Sequence, residues 1–88
     1  MIRELVLPPN FGDYAWEVEA KGYCDAAVRV NDSLISVTFY DPTRLEQEIG
    51  DDIEAGRLFT LKRLLVVERV TLENMQSAIA TARSEFFE

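Results

Sequence analysis

Carboxylates are the one abundant reactive group in this 88-residue sequence. It holds sixteen Asp and Glu against nine Lys and Arg, no histidine and one cysteine, for a net charge of −7. Glu17 and Glu19 lie two apart, and Glu48 and Asp52 lie four apart. The first spacing suits neighbours on a strand and the second suits neighbours on a helix. Such pairs can raise one pKa and divide acid and base roles between them. Asp51, Asp52 and Glu54 offer oxygen ligands to a hard cation, but the ordered spacing of a calcium loop is missing. No glycine-rich loop or partner nucleophile accompanies either pair. Without histidine there is no Ser-His-Asp or Cys-His system, no ordinary general base near neutral pH and little scope for zinc. Cys24 has no second cysteine to pair with and no cluster of bases to activate it, so it reads as a small buried hydrophobe. We therefore assign no catalytic residue, no cofactor and no metal site, and expect a protein that is not an enzyme.

The charge speaks to partners instead. An acidic surface repels nucleic acid and anionic membranes, and it accelerates encounter with a basic protein. The excess is uneven. Residues 1–56 carry twelve acids and four bases, a net of −8, whereas residues 57–88 carry four acids and five bases, a net of +1. The expected contact surface is Glu46, Glu48, Asp51, Asp52 and Glu54. Two other readings stand beside it. These acids form a solvated face, or they meet Arg57, Lys62, Arg63 and Arg69 of the same chain. No apolar run approaches the ~18 residues of a membrane span. The opening MIRELVLPPN lacks the pattern of a signal peptide, so a cytoplasmic location is expected.

The elements that must position these residues follow from periodicity. Leu34–Tyr40 places Ile35, Val37 and Phe39 on one side of a strand. Asp41 then caps a helix with Pro42 at its first position, and Gly56 ends it. Leu45, Ile49 and Ile53 share one face of that helix. Cys24–Val30 alternates as well, and Asn31-Asp32-Ser33 joins it to Leu34–Tyr40 as a hairpin. Ile2–Leu7 reads as an edge strand. Tyr14–Ala20 also alternates, with Tyr14, Trp16, Val18 and Ala20 on one side. It is expected to form the first strand of a three-stranded meander, with Trp16 as a core anchor. The consecutive Leu64, Leu65, Val66 and Val67 suit a covered strand, parallel to Leu34–Tyr40 across the helix. Thr71 caps the last helix, with Val70 and Met75 as a hydrophobic staple. Leu72, Met75, Ile79, Ala82 and Phe86 line its inner face. Phe87 either folds back onto the sheet or stays exposed.

The expected fold is one α+β domain over residues 1–88, a two-layer sandwich of a mixed, mostly antiparallel sheet of four to five strands with two helices. The order is β-β-β-β-α-β-α. Tyr14, Trp16, Tyr23, Tyr40 and Phe87 are candidate aromatic anchors for a partner.

The segment FYDPTRLEQEI, then LLVVERV, TLENMQSAI and a terminal Phe-Phe, resembles small bacterial immunity proteins. These are encoded beside contact-dependent-inhibition and other polymorphic toxins. The resemblance spans roughly residues 37–87. It implies a protein that binds a cognate toxin domain, often a basic nuclease, and blocks its active site or substrate surface. It transfers no contact residue, so the acidic-helix assignment rests on charge. The alternative is an interaction module that assembles as a homodimer.

Overall fold

The computed structural model describes residues 2–88. The chain runs through β1 (Arg3–Val6), α1 (Phe11–Lys21), β2 (Tyr23–Val30), β3 (Ser33–Tyr40), α2 (Pro42–Glu54), β4 (Leu64–Val66) and α3 (Leu72–Thr81). A 3-10 turn over Ser84–Phe87 closes it. The fold is α+β: a four-stranded mixed sheet in spatial order β1-β2-β3-β4 with three helices. β1, β2 and β3 are antiparallel neighbours, and β4 joins β3 in parallel.

The element order corrects the expected one. Tyr14–Ala20 is not a strand; it lies within α1. The place beside β2 belongs to β1, which pairs Leu5 with Val28 and Arg3 with Val30. The cause is visible once Phe11 is included. Phe11, Tyr14, Ala15 and Val18 fall at i, i+3, i+4 and i+7, the stripe of a core-facing helix. All four sit in or against the core. The alternation from Tyr14 to Ala20 is a subset of that pattern read at the wrong period. Trp16 falls off the stripe and is 70% exposed, so it anchors no core.

The core lies on one face of the sheet. Cys24 and Val28 of β2, and Val37 and Phe39 of β3, meet Val18 of α1 and Met75 and Ile79 of α3. Phe39, Met75, Val28, Val37 and Val70 are completely enclosed. The caps of the later helices agree with expectation. The Thr71 hydroxyl accepts the Asn74 N–H at 3.2 Å, with Val70 and Met75 both buried behind it. Asp41 Oδ1 accepts the Arg44 N–H at 2.7 Å, with Pro42 opening α2. Of the expected inner stripe, Met75 and Ile79 are buried on α3, Leu72 is exposed, and Phe86 lies beyond the helix in the 3-10 turn, because α3 ends at Thr81.

The termini are clamped by Arg3. Its guanidinium donates to the carbonyls of Ile79, at 2.7 Å, and Ala82 at the end of α3. A cation there complements the negative end of the helix dipole. The same guanidinium sits 4.6 Å from the centre of the Phe87 ring. Phe87 is thus folded back and buried, with Phe86 packed edge-on at 5.1 Å between ring centres.

Candidate partner-binding surface

α2 is positioned by its N-terminus. The Asp41 N–H donates to the Gly22 carbonyl at 2.9 Å, which ties the start of α2 to the end of α1. Arg44 extends the junction, its guanidinium reaching the Lys21 carbonyl at 3.4 Å. Beyond this end the helix departs from expectation. None of its residues is buried. Leu45 is half-buried, while Ile49 and Ile53 are 38% and 61% exposed.

The sheet register shows where α2 lies. Tyr40 follows Phe39, so its side chain emerges on the face opposite the core. It is buried nevertheless, yet it stays outside the core cluster. Burial raises its phenol pKa above the ordinary value, and the nearby Glu48 carboxylate adds to the shift. α2 therefore stands against the Tyr40 end of the second face. Two helices cover the core face, and α2 shields only one end of the other.

The five sequence-assigned acids divide into two groups. Glu48 accepts Arg44 Nε at 2.8 Å and Nη2 at 2.7 Å, an i,i+4 pair running along the helix. Asp52 accepts Arg57 Nη2 at 2.9 Å and Nε at 3.2 Å. Glu46, Asp51 and Glu54 are exposed, and among the described residues no cation pairs with them. The basic segment that follows thus neutralises only one of the five. Of its other bases, Arg69 approaches Glu19 at 3.9 Å and Arg63 donates to the Glu88 carbonyl at 2.6 Å. Among the described residues no three potential metal ligands gather.

Apolar exposure continues along the chain after α2. Leu58 is 82% exposed, and Leu61 and Val66 are also exposed. Val66 is the register partner of Tyr40, so it lies on the same face and beside the end that α2 shields. Five large apolar side chains (Ile49, Ile53, Leu58, Leu61 and Val66) are thus exposed on α2 and the segment leading from it through β4. The aromatic anchors fare differently. Tyr14, Tyr40 and Phe87 are occupied inside the molecule, Tyr23 is half-buried, and Trp16 alone is widely exposed, on α1.

Sequence reasoning missed one cluster. On the open face, Asp25 accepts hydrogen bonds from the Tyr23 hydroxyl and, at 3.0 Å, from the Thr38 hydroxyl. The Asp25 bond holds the Tyr23 phenol well above its usual pKa. The signal was present in the pairing of β2 with β3, which sets Asp25 opposite Thr38. No helix in the described residues is long and apolar enough to cross a membrane. No family model, curated protein or solved structure significantly matches the chain.

Proposed function

We propose that this chain is an immunity-type binding protein. It neutralises a cognate basic toxin domain, such as a nuclease, by protein–protein contact, with no catalysis of its own. The observation that carries the reading is α2: an amphipathic helix that leaves Ile49 and Ile53 uncovered and also carries Glu46, Asp51 and Glu54, with which no cation pairs among the described residues. An exposed apolar stripe with Glu46 at its edge, on a helix of net negative charge, suits an interface with a dry centre and a charged rim. The rim steers a basic domain in, and the stripe holds it. A carboxylate-bearing helix also competes for the ground that nucleic-acid phosphate would occupy on a nuclease.

The test uses the product of the gene immediately upstream, its C-terminal domain purified and titrated by calorimetry and stopped flow. The expected result is a 1:1 complex that weakens as salt rises. The triple variant Glu46→Lys, Asp51→Lys, Glu54→Lys should slow association on the order of tenfold or more. Glu48 and Asp52 are poorer targets, because their replacement also breaks the pairs with Arg44 and Arg57. Unchanged association in the folded triple variant removes the acidic helix from the mechanism.

A second reading is a homodimer. Its supporting observation is β4, a three-residue edge strand that leaves its own Val66 exposed. Net charge opposes it, since two copies would bring −7 to each side. Sedimentation equilibrium separates the two: a dimer at micromolar concentration, surviving low salt, favours assembly over capture.

A further inference from the structure

The open face of the sheet is ordered in cross-strand rows. The register sets Tyr23, Tyr40 and Val66 in one row, then Asp25, Thr38 and Leu64. The next row is Val6, Ala27 and Ser36, and the last is Glu4, Arg29 and Leu34. The third row is made of small or short side chains between taller neighbours. The result is a shallow, open depression of ≈ 370 Å³ whose floor includes Val6, Ala27 and Ser36, with Asp25 and Thr38 along one side.

Two features of this groove run against strand preference. Ala is depleted in strands, and Asp more so, yet both stand in the middle of β2, which has neighbours on both edges. The Asp25 carboxylate is also fixed in direction by the Tyr23 and Thr38 hydroxyls. Each oxygen takes one of those bonds and retains a free lone pair. Among the described residues no cation of the chain pairs with it. Arg29, the base on the same face, is engaged by Glu4 at 3.6 Å.

We propose that this groove seats one arginine side chain of a protein partner, with its methylene stem on Ala27 and Ser36 and its guanidinium on the Asp25 carboxylate. The occupant is argued from charge and shape together. A planar fork suits a carboxylate whose two oxygens are already held in place, and a long stem suits a trough of short side chains. The inference rests on the reading of the chain as a receptor for a basic partner, but it names a place outside α2.

The test is an NMR titration of the isotope-labelled full chain with N-acetyl-arginine methylamide, repeated with its neutral citrulline counterpart. Saturable shifts are expected at the backbone amides of Ala27, Ser36 and Thr38 with the arginine compound alone. Asp25→Asn should weaken the response about three- to fivefold, as for a solvent-accessible ion pair. Ala27→Leu fills the groove while leaving Asp25 in place, and should abolish the response. The α2 triple lysine variant should respond as the parent does, so failure to capture a toxin domain and failure of this seat are separate results. Equal shifts with citrulline, shifts confined to α2, or an unaltered response in the folded Asp25→Asn and Ala27→Leu variants would each overturn the assignment.

Discussion

Asp41 closes over Gly22. Its N–H donates to the Gly22 carbonyl, and its carboxylate fills the space in which any Cβ on Gly22 would stand. Gly22 also has φ +72, the left-handed conformation that ends α1. One glycine thus serves two helices: it terminates α1 and makes room for the residue that caps α2.

Gly22→Ala is therefore expected to cost more than a helix-ending glycine does by itself. The left-handed backbone contributes about 1–2 kcal/mol. Displacement of the Asp41 cap adds about 1 kcal/mol. Urea denaturation of Gly22→Ala, Asp41→Ala and the double variant checks the coupling. With Asp41 already removed, the second penalty disappears, leaving an interaction energy of about 1 kcal/mol. Strict additivity would separate the two roles.

Phe39→Ala and Ile53→Ala should differ sharply. Phe39 is fully enclosed between the sheet and its helices, and its truncation is expected to cost about 3–5 kcal/mol. Ile53 is mostly exposed, so its truncation should stay within about 0.5 kcal/mol. Comparable losses at the two sites, read from denaturation midpoints, would place α2 in the core after all.

Fluorescence provides a direct check of α1. Trp16 is the sole tryptophan, and it is mostly exposed. Emission should resemble that of a free indole in water, with ready quenching by acrylamide. Trp16→Ala should leave the melting temperature nearly unchanged. A blue-shifted, protected emission would mean that a partner or a second copy covers this side.

Alkaline pH should destabilise the fold. Burial raises the Cys24 thiol above its ordinary 9.0. Tyr23 is raised from 10.0 by its bond to Asp25, and Tyr40 is raised by burial. Each group keeps its proton longer folded than unfolded. Above the ordinary pKa the unfolded chain therefore holds fewer protons, and stability falls as pH rises. The contribution is whole below about pH 8.5 and diminishes as pH climbs past the thiol and then the phenol range. Melting temperatures from pH 7 to 11 measure it. Cys24→Ala should flatten the first part of the decline, and a flat profile in the parent would contradict the shifts.

What the sequence disclosed depended on how local the signal was. Caps are local: Asp41-Pro42 and Thr71 are readable from types and spacing, and both form as expected. The β2–β3 hairpin is local too, turning through Asn31 at φ 56. α1 was obscured because Tyr14 and Trp16 carry strand preference and alternate, while the helical stripe begins earlier, at Phe11. Two unread signals were Gly22 as a helix end and the four-residue step from Tyr14 to Val18. The fate of α2 was not local. Its stripe of Leu45, Ile49 and Ile53 reads like that of any core helix, and only the packing leaves it uncovered. Likewise, among the described residues, Arg44 and Arg57 pair with Glu48 and Asp52, and no cation pairs with the other three proposed contact acids.

The absence of buried residues in α2 also bears on descent. Core positions are locked to one another by volume, so changes there are rejected as misfolding. Most of Pro42–Glu54 escapes that censorship, since none of it is buried, with Leu45, half-buried, and Arg44, tied to the end of α1, as the constrained positions. Substitutions at its exposed positions change charge and shape at little cost to the core. Under the proposed function, a lineage pressed to match a changing toxin domain could rewrite that surface one residue at a time and still inherit the same scaffold.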